Sequence, residues 1–210
     1  MVVVAAVVVI VLLLGGTDAL PGIGPERPPT PDFAFETVKV TAVPTVAGAP
    51  ASDLDAKATS AAHQVQETMD ALYIGAFLDP GNWQEGSFDD VWGLFEEGAG
   101  TEAQEKVDTL TAGIGAGDAF DTILPDVGEL KTKVLFDQHE KAYSVVAIVR
   151  FEATGNGKAG GDDLLMKSQG QFVFQRLDGD WKVVSFKVVR NDEQQAPAPS
   201  SSASATGSPS

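Results

Sequence analysis

The stretch from Gln171 to Arg190, QFVFQRLDGDWKVVSFKVVR, constrains this chain more than any other. Two runs of β-branched and aromatic residues flank Leu177-Asp178-Gly179-Asp180. Asp-Gly between such runs suits a tight hairpin, whose turn positions take the positive φ that these residues tolerate. Trp181 opens the second strand, where a large ring can cover the end of a core. This is the expected last hairpin of a curved antiparallel sheet, with upstream helices packed against it.

Upstream strands follow from the same reasoning. Glu129–Phe136 and Lys141–Glu152 flank a turn at Asp137-Gln138-His139-Glu140, and Asp163–Arg176 and Trp181–Val189 form the closing hairpin. Thr154–Gly161, TGNGKAGG, reads as a loop. Before the sheet, Ala58, Ala61, Ala62, Val65, Met69, Leu72, Tyr73, Ala76 and Phe77 recur at helical spacing. Ser52 is a suitable N-cap for this helix, and Asp79-Pro80-Gly81 ends it. Ser87, with Asp90, is expected to cap a second, short helix with Phe88, Val91, Trp92 and Phe95 on one face. Thr101-Glu102-Ala103-Gln104 reads as the capping box of a third. The expected fold is therefore α+β, with about three N-terminal helices on a bent antiparallel sheet that closes on the Trp181 hairpin.

The flanks have other compositions. Val2–Leu14 is uninterrupted Val, Ala, Ile and Leu, shorter than the roughly 20 residues of a spanning helix. No Lys or Arg precedes it and no A-x-A site follows it. A membrane anchor, an atypical signal peptide and a buried element all fit, and the anchor is preferred because such a segment is hard to leave in water. Residues 1–16 are thus the expected anchor or signal segment, and 17–51 a proline-rich stalk containing a strand-like run at Phe33–Val43. The domain is expected over 52–191, followed by a disordered Ser/Pro/Ala tail over 192–210. This arrangement places the domain outside the cytoplasm, with secretion as the second choice.

Charge is unevenly placed. Asp53–Glu129 holds 17 acidic and 2 basic residues, and Leu130–Arg190 holds 7 acidic and 10 basic, so a helical half at −15 faces a sheet half at +3. The acidic surface repels phosphate backbones, which argues against a nucleic-acid partner. The absence of cysteine removes thiol nucleophiles, thiolate metal sites and disulfides.

The order of elements, the segment Phe77-Leu78-Asp79-Pro80 and the strand start Gly179-Asp180-Trp181-Lys182-Val183-Val184 resemble the nuclear transport factor two-like, or cone-fold, superfamily over about Ser52–Arg190. The resemblance implies a bent sheet wrapped around a long first helix, with a pocket between them. With the apolar N-terminal run, it is similar to membrane-anchored extracytoplasmic cone domains of Gram-positive and actinobacterial proteins. The superfamily hosts enzymes, carriers and assembly modules, so the likeness implies fold more than function.

No catalytic constellation emerges from the residues. His63 and His139 are far apart in sequence and lack companions at ligand spacing. Gly113-Ile114-Gly115-Ala116-Gly117 lacks the G-x-G-x-x-G spacing and follows a helix, so it reads as a helix-ending loop. Asp162-Asp163 and Asp178/Asp180 do not fit a calcium loop. Tyr73, Trp92 and Phe120 are the candidates for lining a pocket, with no catalytic residue, metal or cofactor expected. The expected role is a binding or assembly module for a protein partner or a small apolar ligand. The alternatives are an isomerase- or dehydratase-type enzyme pairing Tyr73 with an aspartate such as Asp118 or Asp121, and a structural domain that self-associates.

Overall fold

The computed structural model describes residues 27–44 and 51–195. The expected anchor, residues 17–26 and 45–50 of the expected stalk, and residues 196–210 of the expected tail lie outside the described residues. Among the described residues, no helix is long and apolar enough to cross a membrane.

The structure is α+β. A five-stranded sheet in the order β1-β2-β3-β4-β5 comprises β1 (Glu36–Pro44), β2 (Phe120–Phe136), β3 (Ala142–Gly157), β4 (Asp163–Leu177) and β5 (Asp180–Gln195). All neighbouring pairs are antiparallel except β1 with β2, which is parallel. The sheet is therefore mixed, where the sequence suggested an antiparallel one. A parallel neighbour needs a long crossover, and the whole helical half of the chain supplies it.

The crossover begins with α1 (Ala51–Tyr73), which packs on β1, β2, β3 and β5. All nine residues of its expected apolar stripe are buried, together with Leu54. Past Tyr73 the helix widens into a π turn, Ile74–Leu78, closed by the Asp79 N–H donating to the Ile74 carbonyl at 2.7 Å. The Asp79 carboxylate then caps α2 (Pro80–Trp83) by accepting from the Gly81 N–H at 2.8 Å. Four short helices follow: α3 (Asp89–Trp92), α4 (Glu97–Glu105), α5 (Val107–Leu110) and α6 (Ala116–Ala119).

Two expected caps are displaced. Ser87 makes no cap for α3, whose N-cap position is Phe88 without a side-chain bond. Helix α4 starts one turn before Thr101, because the Glu96 carboxylate accepts from the Gly98 and Ala99 N–H groups. Thr101 sits inside that helix and donates to the Glu97 carbonyl at 3.1 Å, the back-bond usual for mid-helix threonine.

The strands exceed their expected lengths. β2 begins at Phe120 and β3 runs to Gly157, through the first half of the anticipated Thr154–Gly161 loop, while β5 continues to Gln195. Asp178 (φ 53°) and Gly179 (φ 100°) form the closing turn, with Leu177 opposite Asp180. Register shifts interrupt the β1–β2, β2–β3 and β4–β5 ladders, and such bulges bend a sheet and increase its twist.

The segment entering β1 is fixed to α1. The Phe35 N–H donates to Asp70 Oδ1 at 2.8 Å, Gln66 Nε2 donates to the Phe35 carbonyl at 2.7 Å, and Thr37 Oγ1 bonds Gln66 Oε1 at 2.7 Å. Burial pushes the Asp70 carboxyl up from its ordinary value against the lowering effect of the Phe35 N–H bond, and Glu67 adds a further upward push. A raised folded-state pKa means that the fold holds this proton more tightly than the unfolded chain does. The stabilisation is complete in acid and is lost as pH rises through the folded value. Asp70→Asn keeps an acceptor without the charge and is expected to stay within about 0.5 kcal/mol of the parent at pH 7, whereas Asp70→Ala loses about 1–3 kcal/mol. Urea unfolding of both variants checks this.

Candidate functional site

The space between α1 and the sheet is filled by aromatic rings. Tyr73 projects from the end of α1 and is 1% exposed. Its ring centroid lies 4.9 Å from Phe151, 5.0 Å from Phe35, 5.4 Å from Phe77 and 6.3 Å from Phe172. Its hydroxyl and the Ser168 Oγ of β4 are 3.0 Å apart and hydrogen-bonded. Burial pushes the Tyr73 hydroxyl well above the usual tyrosine range, and the Ser168 bond only partly opposes this. Such a group holds its proton and satisfies a buried partner, which is the ordinary chemistry of an interior tyrosine.

Trp92 and Phe120 pack on other partners. Trp92 is half-buried against Phe88 and Phe95, at 6.4 and 6.1 Å between centroids. Phe120 lies against Gly155 of β3, where a Cβ would come within 2.8 Å of its ring. Asp118 and Asp121 are exposed, while Tyr73 is buried. Trp83 is 1% exposed, and its Nε1 has no hydrogen-bond partner among the described residues.

The histidines are peripheral. His63 lies on α1 with its Nδ1 3.4 Å from Glu67, and His139 lies in the exposed turn between β2 and β3. Among the described residues, no group of three or more potential ligands is placed to hold a metal ion.

Recognition chemistry is gathered on outer surfaces. A groove of about 480 Å³ runs between α1 and the closing hairpin, lined by residues including Gln64, Glu67, Arg176, Trp181 and Lys182. Its polar groups are largely engaged: Gln64 Oε1 accepts from Trp181 Nε1 at 3.0 Å and from Arg176 at 3.3 Å, and Lys182 donates to the Gly93 carbonyl at 2.7 Å.

The sheet face turned away from α1 is less committed. Across it, Lys131, Ile148, Gln171 and Lys187 stand opposite one another on β2 to β5, beside the row Glu129, Arg150, Gln169 and Val189. Ile148 is 37% and Val189 53% exposed. They edge a shallow hollow of about 710 Å³, and Ile148 also edges an adjoining one of about 200 Å³. Arg150 is tied to Glu152 at 2.7 Å and Lys167 to Glu193 at 2.7 Å. Lys131, Lys133 and Lys187 form no ion pair among the described residues. This surface was hard to find in the sequence, because VVAIVRF and FKVVR read equally well as core strands. The available signal was the period-2 placement of Arg150 and Lys187 beside Ile148 and Val189.

Fold and surfaces together define an α+β domain with a ring-filled interior and a partly apolar, lysine-bearing outer sheet. Comparison with protein-family models, curated proteins and solved structures gave no match.

Proposed function

We propose that the chain is a membrane-anchored, extracytoplasmic binding or assembly module, without catalysis of its own, that meets a protein partner through the outer face of its sheet. The supporting observation is the interior. Phe35, Phe77, Phe151 and Phe172 surround Tyr73, and its hydroxyl is held by Ser168. An acid–base pair using Tyr73 would need a carboxylate there, and the hydroxyl meets a serine instead. Function is then left to the surfaces. On the outer sheet, exposed Ile148 and Val189 supply apolar contact, while Lys131, Lys133 and Lys187 favour a partner whose facing surface is acidic. Anchoring rests on the apolar run Val2–Leu14.

Photo-crosslinking in membranes of the cells that make the chain tests this reading. A benzophenone side chain at Ile148 or Val189 is expected to trap one defined protein, while the same group at Glu102 on α4 traps none. A product at twice the chain mass would mean that the face joins two copies. No product from either sheet position, or equal products from Glu102, overturns the assignment of this face.

A further inference from the structure

Apolar features converge at one end of the molecule. The strap Arg27–Pro31 lies across the turn that follows α1. Arg27 is ion-paired with Glu85, and Thr30 Oγ1 donates to Asp79 Oδ1 at 3.4 Å. Its prolines wall a cavity of about 130 Å³ together with Leu78, Trp83 and Leu124. Leu124, at the start of β2, is 48% exposed. Ile114 is 62% exposed and touches the same corner, since a Cβ on Gly86, next to Glu85, would lie 3.2 Å from its side chain. The other end is mixed, with Val43 39% and Tyr143 46% exposed beside the turn between β2 and β3. There the turn Asp137–Glu140 carries His139, and Lys57 bonds Glu140 at 2.8 Å.

Chain length distinguishes the two ends. Twelve residues separate Leu14 from Arg27, and at full extension they span about 40 Å. The stretch of β2 from Leu124 to Phe136 is about 40 Å long at the usual strand rise. With Leu14 held in a bilayer, the strap end reaches the lipid without strain. Bringing the turn end down instead would place Arg27 near the limit of the linker.

We infer that the strap end is a lipid-contacting surface, with Leu124 and Ile114 entering the headgroup layer and the strap fixing the domain's orientation over the membrane. The inference rests on the anchor reading of Val2–Leu14. Single apolar side chains give a weak contact by themselves, but tethering converts it into an intramolecular one. Nearby Asp118 and Asp121 are exposed, so the fit is to zwitterionic rather than anionic lipid.

The chain has no cysteine, so single labels are unambiguous. Full-length chains carrying Leu124→Cys, Ile114→Cys or His139→Cys, each with an environment-sensitive fluorophore, would be reconstituted into phosphatidylcholine vesicles. Labels at 124 and 114 are expected to shift to the blue on reconstitution, to lose most of their intensity to nitroxide-bearing lipid and to resist iodide. The label at 139 is expected to do the reverse. A chain that does not float with the vesicles overturns the anchor reading and this inference with it. A chain that floats while labels 124 and 114 remain open to iodide overturns the lipid contact alone.

Discussion

Phe151→Ala is expected to lower the unfolding free energy by about 3–5 kcal/mol, the range for emptying a buried aromatic site. Phe151 is fully buried at the middle of the sheet, and its ring meets Phe33, Phe35, Tyr73 and Phe77 at centroid distances of 5.5, 6.4, 4.9 and 5.1 Å. Those four rings come from the segment entering β1, from α1 and from the π turn, so the cavity would open where three segments meet and none could close it alone. Domains of ordinary stability have about 5–15 kcal/mol in total, and the variant would therefore approach its unfolding threshold at room temperature. Phe151→Leu, which refills most of the volume, is expected to lose less than half as much. Urea unfolding decides the point, through a lower midpoint with an unchanged m-value. A midpoint for Phe151→Ala within about 1 kcal/mol of the parent would mean that the rings repack around the void.

The same residues show what the sequence made legible. The α1 stripe was readable because 3.6-residue periodicity is set by one helix facing one sheet. The Asp178-Gly179 turn was readable because its positive φ values select those residues locally. Contacts between distant segments were not readable. Nothing in Phe33-Ala34-Phe35 announces that Phe35 stacks edge-on against Tyr73, or that Phe33 occupies the slot left by the missing side chain of Gly128, where a Cβ would lie 2.6 Å from its ring. The displaced start of α4 has a similar cause. Thr101 offered a sound local cap, but the chain before it is held to β5 by the Glu96 N–H donating to the Val183 carbonyl, which sets the Glu96 carboxylate over the first turn. Tyr73 was correctly placed on the α1 stripe, but its Ser168 partner, 95 residues away, depends on how β4 is registered across the sheet.

Removing residues 27–50 is expected to have the largest effect of all, because residues 27–44 are a structural part of the domain. A chain of residues 51–195 would keep α1 and four strands but lose Phe35, which is 2% exposed, and the half-buried Phe33. It would also lose the parallel ladder along β2, from Glu36 opposite Glu129 to Pro44 opposite Phe136. Gln66 and Asp70 would lose their Phe35 partners, and Tyr73 and Phe151 would face solvent on that side. The lost Phe35 alone accounts for about 3–5 kcal/mol, comparable with the whole stability of a domain. The bared edge of β2 would in addition favour association. Residues 27–195 are therefore expected to unfold cooperatively, and residues 51–195 to show no such transition at the same temperature. A synthetic peptide of residues 27–44 added to the shorter chain is expected to restore the transition by strand addition, whereas the same peptide carrying Phe35→Ala is not. Equal midpoints for the two chains would mean that β1 is an ornament at the sheet edge, and the strap could then no longer be what fixes the domain's orientation.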